Sequence, residues 1–86
     1  GGLDPTTSGK IANLHAALGD AYREAGELRE AVESFRRALD LAPGFHDIRF
    51  RLGVTLREAG LPAQAIAELK RVRRGNPAFL EASVQL

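Results

Sequence analysis

Hydrophobic positions recur along the chain at helical spacing. They follow one another in steps of three or four residues: Ile11, Leu14, Leu18 and Tyr22 in one stretch, and Leu28, Val32, Phe35 and Leu39 in the next. Such steps place side chains on one face of an α-helix. With the turn signals described below, the pattern predicts five helices, near Lys10–Ala25, Leu28–Leu41, His46–Ala59, Pro62–Arg74 and Ala78–Gln85.

The pattern occurs twice, at a fixed interval along the chain. LGDAYREAGELREAVESFRRALDLAP, which begins at Leu18, is followed by LGVTLREAGLPAQAIAELKRVRRGNP, which begins at Leu52. The pairs identical at this interval include Leu18/Leu52, Gly19/Gly53, Gly26/Gly60, Ala31/Ala65 and Pro43/Pro77. A fixed period of this length indicates stacked units of supersecondary structure.

Glycine and proline mark the ends of the predicted helices. Gly26 and Gly60 stand where a left-handed residue ends a helix. Pro62 suits the first turn of the following helix, and Pro43 and Pro77 stop the second helix of each copy. Because the connections are short, each copy is predicted to be an antiparallel helical hairpin.

Small residues in these helices suggest close packing between the two halves of each hairpin. They are Gly19 and Gly53 in the first helices, and Ala31, Ala38 and Ala65 in the second. A glycine inside a helix costs roughly 1 kcal/mol relative to alanine, so its recurrence indicates a packing requirement. Larger side chains are expected to fill the remaining space: Tyr22 and Phe35 in the first copy, Leu56 and Leu69 in the second.

The first copy resembles the tetratricopeptide repeat (TPR) family. The residues that carry the resemblance are Leu18, Gly19, Tyr22, Ala31, Phe35, Ala38 and Pro43, with His15 in place of the usual Trp. The second copy is looser, with Arg49, Leu52, Gly53, Leu56, Ala65, Leu69, Val72 and Pro77 at the corresponding places. The resemblance implies an all-α fold, a short right-handed α-solenoid of about five helices. We expect a flexible segment (residues 1–9), repeat one (12–45), repeat two (46–79) and a partial third repeat or capping helix (80–86).

By the same resemblance, the first helices of the repeats should line a concave groove that binds a peptide or a partner helix. The residues expected on this groove face are Asn13, Ala16, Ala17, Asp20 and Glu24 in the first copy, and Asp47, Phe50, Arg51, Val54 and Arg57 in the second. Phe50 with Val54 has two interpretations, a binding anchor or packing against neighbouring helices.

Two arginines of the groove face have two interpretations as well. Arg51 and Arg57 have the donor geometry to hold a partner carboxylate. Alternatively they pair with Asp47 or Glu58 on a solvated surface. Family members that bind a chaperone's C-terminal carboxylate use Lys and Asn on the first two groove helices. Here Ala16 and Asp20 stand at the first helix's places for those residues, and an Asp repels a carboxylate, which argues against that subtype.

Charge differs between the two copies although the net charge is only +1. Residues 12–45 contain four Arg and six acidic residues, whereas residues 46–79 contain seven basic and three acidic residues. Opposite signs can steer a charged partner or hold neighbouring units together. The run Lys70–Arg74 raises a nucleic-acid or anionic-surface alternative. It lacks interleaved aromatic residues, however, and basic residues at a helix C-terminus also offset the helix dipole.

Composition removes several other classes of function. The chain has no cysteine, so disulfides and thiolate metal sites are excluded. His15 and His46 have no second ligand at metal spacing, and no Ser lies in a nucleophile-elbow motif. We therefore expect no enzyme activity, metal or cofactor.

The apolar runs are too short for a transmembrane segment, and we expect a soluble, cytoplasmic protein. The Gly-Gly start and the absence of Met suggest a piece of a longer repeat protein.

The leading hypothesis is a protein–protein interaction module that acts as an adaptor or scaffold. One alternative is self-assembly, with self-association through the apolar side of the C-terminal helix. That side carries Phe79, Leu80, Val84 and Leu86. The other alternative is anionic-surface or nucleic-acid contact through Lys70–Arg74.

Overall fold

The computed structural model describes residues 3–76 of the chain, and this part contains four α-helices. They are α1 (Pro5–Glu24), α2 (Leu28–Leu41), α3 (His46–Glu58) and α4 (Pro62–Gly75). No strand occurs among these residues, so the predicted all-α class is confirmed. The bounds of α2, α3 and α4 agree with the sequence prediction to within one residue. The fifth predicted helix, Ala78–Gln85, lies outside the described residues.

The helices pack as two antiparallel hairpins placed side by side. Helix α1 packs against α2 to form hairpin one, and α3 packs against α4 to form hairpin two. The hairpins contact each other mainly through α2 and α3. This is a TPR-like arrangement, as the sequence predicts.

Helix α1 begins earlier than predicted. The sequence places its start near Lys10, but the helix begins at Pro5, so residues 5–9 of the segment predicted to be flexible are helical. Asp4 caps this end, because its Oδ1 accepts a hydrogen bond from the Thr7 backbone N–H at 2.6 Å. The hydrogen bonds from Thr7 hold the pKa of Asp4 below its ordinary value. Proline is favoured in the first turn, where its missing N–H leaves no donor unpaired.

The two hairpin turns use the same glycine conformation. Gly26 has φ of 80° and Gly60 has φ of 81°, in the left-handed region that side-chain-bearing residues avoid. After the first turn, the Glu27 backbone N–H donates to the Tyr22 carbonyl at 2.8 Å, and the second turn repeats this bond at 2.9 Å. This pairing satisfies carbonyls at the helix end, which confirms the predicted role of both glycines.

Two other glycines allow the helices of each hairpin to approach closely. A Cβ atom added at Gly19 would lie 2.8 Å from Cε1 of Phe35, closer than real Cβ contacts. A Cβ added at Gly53 would lie 2.8 Å from Cδ2 of Leu69. The packing reason inferred from the sequence is thus confirmed, and it has the same geometry in both repeats.

The face that α1 turns toward the core differs from the sequence expectation. Its buried residues are small: Gly9, Ala12, Ala16 and Gly19. Leu14 and Leu18 are instead 70% and 46% exposed. At two of these positions the reason is steric, because a Cβ at Gly19 would lie 2.8 Å from the ring of Phe35 and a Cβ at Gly9 would lie 3.3 Å from the ring of Phe45. Leu14 and Leu18 therefore lie on a solvent-exposed side of α1.

Candidate functional site

Two ion pairs join the first helices of the hairpins, α1 and α3. Arg51 Nη1 lies 2.6 Å from Asp20 Oδ2. Arg23 binds Glu58 with two bonds, Nε to Oε1 at 2.6 Å and Nη2 to Oε2 at 3.2 Å. The hydrogen bonds from Arg23 lower the pKa of Glu58, and Glu58 raises the pKa of Arg23. Both groups therefore stay charged at neutral pH, and they hold the two helices side by side.

Arg51 makes three side-chain contacts in this region. Besides Asp20, its Nη2 contacts Asp47 Oδ2 at 3.2 Å, and its guanidinium lies 5.8 Å from the centre of the Phe35 ring. The two terminal nitrogens that would hold a partner carboxylate already face carboxylates of the chain itself. For Arg51 the structure therefore favours ion pairs with carboxylates of the chain itself over binding of a partner carboxylate.

The residues predicted for the groove face differ in their exposure. Those exposed to solvent are Asn13, Ala17, Glu24, Asp47 and Arg57. Asp20, Phe50, Arg51 and Val54 are partly buried. The prediction that Ala16 lies on the groove face is wrong. Ala16 is 1% exposed and belongs to the core, because it lies on the side of α1 that carries the small residues. Its side chain is not available to a partner.

A cleft of about 410 Å³ opens where α1 and α3 end. It is lined by Asp20, Arg23, Glu24, Leu28 and Glu58. Three of these are carboxylates, but Arg23 pairs with Glu58 and Arg51 pairs with Asp20. Among residues 3–76 this leaves Glu24 as the lining carboxylate without an ion pair, beside one apolar side chain, and Glu24 can attract a positively charged group.

A comparison with protein-family models matches residues 16–78 to the family described as tetratricopeptide repeat. The match covers more than half of the chain and agrees with the hairpin packing. The chain belongs to the TPR family. A search of curated proteins gives no match for this sequence. TPR repeats generally mediate protein–protein interaction or scaffolding and are typically non-catalytic.

Most positions of the TPR signature lie in the core of the described residues. Seven of them are buried hydrophobic residues: Ala31, Phe35, Ala38, Leu52, Leu56, Ala65 and Val72. Tyr22 and Leu69 are partly buried, whereas Leu18 is 46% exposed although Leu52, at the same place in repeat two, is 1% exposed. Pro43 is exposed after α2, and Pro77 lies outside the described residues.

Sequence reasoning missed a second cleft of this TPR protein. A space of about 600 Å³ lies between the two hairpin turns, and Leu28, Val32, Ala59 and Leu61 supply its apolar lining. Leu61 is 41% exposed there. Leu28 and Leu61 each follow a turn glycine, so apolar residues next to both turns were the available signal.

The basic run Lys70–Arg74 is only partly free. Arg71 Nη1 contacts Glu68 Oε1 at 3.2 Å, and Arg49 Nη1 contacts the other oxygen of Glu68 at 3.2 Å. Glu68 itself is 5% exposed, so Arg71 belongs to a structural ion-pair cluster. Val72 is fully buried, and the other three residues of the run are exposed near the C-terminal end of α4.

No group of three or more His, Cys, Asp and Glu residues suited to a metal ion occurs within residues 3–76. His15 is partly buried on α1. His46 lies against Gly75, and its Nδ1 is buried without a hydrogen-bond partner in that part of the chain. Across these residues, no helix is both long and apolar enough to cross a membrane.

Proposed function

We propose that this TPR protein is an interaction module that binds a peptide or a partner helix along the groove face, excluding Ala16. The observation that carries the proposal is the linkage of α1 to α3 through Arg23–Glu58 and Arg51–Asp20. These bonds fix two helices next to each other while Asn13 and Ala17 stay exposed. A preorganised surface of this kind loses little entropy when a partner binds.

The chemistry of the groove face suggests what the partner offers. Val54 is a partly buried apolar residue in the middle of α3, with the charged cleft beyond it toward the helix ends. A segment with an apolar side chain opposite Val54 and a basic residue toward the cleft fits this order of groups. Because Arg51 is already paired on two sides, we do not assign it to a partner carboxylate.

Selection from a displayed peptide library against the 86-residue chain tests the proposal. Enriched peptides are then titrated against the wild type and two variants of the groove face, Asn13→Arg on α1 and Val54→Arg on α3. We expect each variant to weaken binding by about tenfold or more, equal to about 1.4 kcal/mol. An added guanidinium occupies the space of the ligand and repels its basic residue.

The matched control is Ala67→Arg, which places the same side chain on the exposed surface of α4. Circular dichroism and thermal melting of all variants establish that the fold is unchanged. If the enriched peptides bind both groove variants as tightly as the control, the site lies elsewhere and the assignment of the groove face is wrong.

Contact with an anionic surface through Lys70–Arg74 stays a second proposal, supported by the exposure of Lys70, Arg73 and Arg74. Salt-dependent retention on DNA, RNA or anionic vesicles that is lost in Arg73→Glu/Arg74→Glu would support it. Self-association through residues 77–86 stays a prediction, because that segment lies outside the described residues. A catalytic role is not part of the proposal.

A further inference from the structure

The same face of the first helix is exposed in repeat one and buried in repeat two. On α1, Leu14 is 70% exposed, Leu18 is 46% exposed and Ala21 is also exposed. The residues at the equivalent places of α3 are Ile48, Leu52 and Thr55, and their exposures are 0%, 1% and 0%. The packing of α2 against α3 accounts for the difference, since no second helix lies on this side of α1 within residues 3–76.

The contact between the hairpins combines an apolar centre with polar bonds at its margins. Val32 of α2 packs against the core on this side. Arg23 binds Glu58 at 2.6 Å, and Arg36 Nη2 donates to Gln64 Oε1 at 2.9 Å. Both donors lie in hairpin one and both acceptors in hairpin two. The Arg51–Asp20 bond runs the other way, and Val54 and Ala17 stand at the equivalent places, so a neighbouring unit can repeat only the first two bonds.

Hairpin two carries the donors of this contact again, at the equivalent places of its own helices. Arg57 stands at the place of Arg23, Lys70 at the place of Arg36, and Ile66 at the place of Val32. Arg57 and Lys70 are exposed, and Ile66 is 54% exposed. We call these three residues the trailing face.

Hairpin one carries the matching acceptors. Glu24 stands at the place that Glu58 has in hairpin two, and Glu30 stands at the place of Gln64. Together with Leu14, Leu18 and Ala21, they form what we call the leading face. Among residues 3–76, no ion pair forms to Glu24, Glu30, Arg57 or Lys70. One face is thus apolar and acidic, and the other is apolar and basic.

We propose that copies of this chain associate head to tail, with the trailing face of one copy on the leading face of the next. Arg57 then meets Glu24 of the neighbouring copy, and Lys70 meets its Glu30. Ile66 then lies against the leucines of α1, in the place that Val32 has between the two hairpins of one chain. The contact is heterologous, so it leaves a free face at each end and assembly continues with concentration. Opposite charges favour this pairing over contact between two leading faces, which brings Glu24 and Glu30 together with their own copies.

The test uses two variants of the full chain and analytical ultracentrifugation over a range of concentrations. The first, Leu14→Glu/Leu18→Glu, removes the leading face, and the second, Arg57→Glu/Ile66→Glu, removes the trailing face. All four positions are exposed, so the fold is expected to survive, as circular dichroism can establish. We expect the mass of the wild type to rise with concentration and each variant alone to stay monomeric. An equimolar mixture of the two variants should form a one-to-one dimer and stop there.

Three results would overturn the proposal. A wild type that stays monomeric at all concentrations contradicts it directly. If the trailing-face variant still associates and the leading-face variant does not, the contact joins two leading faces. If the leading-face variant still associates, the contact lies elsewhere, including in residues 77–86. Leu14→Glu/Leu18→Glu alters no residue of the groove face, so its association and its peptide binding report separately. Arg57 belongs to both faces, and Ile66→Glu alone therefore separates the two activities on the trailing side.

A charge exchange sharpens the assignment of one bond. Glu24→Arg or Arg57→Glu alone should weaken association by about tenfold or less, as expected for a single exposed pair. The double variant should recover most of the loss, because the pair forms again with its signs exchanged. Glu33→Arg is the matched control, since Glu33 is an exposed carboxylate outside the proposed contact. A double variant as weak as the sum of the single variants excludes this bond.

Discussion

Hairpin one and hairpin two share a backbone plan but fill their interiors with different chemistry. In hairpin one, Phe35 is fully buried against Gly19. In hairpin two, the equivalent residue Leu69 is only partly buried, although it approaches Gly53 just as closely. At this one position hairpin two buries less apolar surface, although Ile48, Leu52 and Leu56 of its first helix are only 0–1% exposed.

Hairpin two also contains a buried charge that hairpin one lacks. Glu68 stands where hairpin one has Ser34, and its side chain is 7% exposed. Arg49, at the place of His15, and Arg71 both bind its carboxylate at 3.2 Å. Hairpin one is therefore held by the volume of an aromatic ring, and hairpin two partly by a paired charge. The repeat fixes the shape of the hairpin and allows different interactions to stabilise it.

The largest expected effect comes from removing the aromatic ring of hairpin one. Phe35→Ala should lower the free energy of unfolding by about 3–5 kcal/mol, because it deletes a fully buried ring and leaves a cavity. Leu69→Ala should cost less, since Leu69 is only partly buried. Urea denaturation followed by circular dichroism measures both values. A larger loss for Leu69→Ala would contradict the comparison.

Phe35→Leu is the informative variant if Phe35→Ala does not fold. It converts the pair of hairpin one, Gly19 with Phe35, into the pair of hairpin two, Gly53 with Leu69. The loss should be smaller than for Phe35→Ala, since much of the apolar volume is retained.

Removing the buried carboxylate of hairpin two should have the next largest effect. Glu68→Ala leaves Arg49 without its main partner. The Arg49 side chain is only 14% exposed, so water replaces that partner poorly. A broken buried pair costs about 3–5 kcal/mol. We expect about 2 kcal/mol here, because Arg49 keeps its bond to the Pro43 carbonyl at 3.0 Å. Ser34→Ala, the matched change in hairpin one, should cost clearly less in the same urea titration; equal losses would show that the ion pair adds nothing to hairpin two.

Equivalent substitutions in the two hairpin turns should lower the free energy of unfolding by equal amounts. The turns are therefore the control for the comparison of the two hairpin cores. Gly26→Ala and Gly60→Ala each force a Cβ into the left-handed region at a cost of about 1 kcal/mol. Neither glycine has an atom within 4 Å of the added Cβ, so the penalty comes from the backbone alone. Chemical denaturation should give two equal losses, and Asn at either position should cost less than Ala. Unequal losses would mean that the hairpins differ at their turns as well as in their cores.

Sequence periodicity was sufficient for the features that depend on backbone geometry. The repeat located Gly26 and Gly60 at the turns and Gly19 and Gly53 at the close contacts, because those places tolerate little else. The start of α1 was missed although Asp4 and Pro5 form a typical helix start. The helical spacing of apolar residues begins at Ile11, and the predicted helix start followed that spacing instead of Asp4 and Pro5.

The candidate site was less accessible to sequence reasoning, because it depends on which face of each helix meets its neighbour. Ala16 and Leu18 show this: the resemblance put Ala16 on the groove face and the apolar spacing put Leu18 on the packing face, whereas Ala16 is 1% exposed and Leu18 is 46% exposed. Arg51 shows it too, since its contact with Asp20 spans 31 positions along the chain. Such contacts follow from the angle between hairpins, which the repeat pattern does not contain.

The smallest expected effect concerns the bond between the hairpins and its dependence on pH. Arg23 lowers the pKa of Glu58 below its ordinary value of 4.5, so the carboxylate is easier to ionise in the folded chain. The stabilisation is therefore fully present above 4.5, and it is lost as pH falls through the lowered pKa of the folded state. Both side chains are more than a third exposed, at 36% and 40%, so solvent limits the contribution to about 0.2–1 kcal/mol.

Glu58→Gln should therefore reduce the free energy of unfolding slightly at pH 7, and the difference from the wild type should shrink toward pH 3. Urea titrations at both pH values, each at low and high salt, measure it. Asp40→Gln is a suitable control, because Asp40 is an exposed carboxylate of α2 with no ion pair in residues 3–76. If the Glu58→Gln difference persists at pH 3, it does not arise from the charge of Glu58. The bond would then contribute through its geometry alone, and salt should leave it unchanged as well.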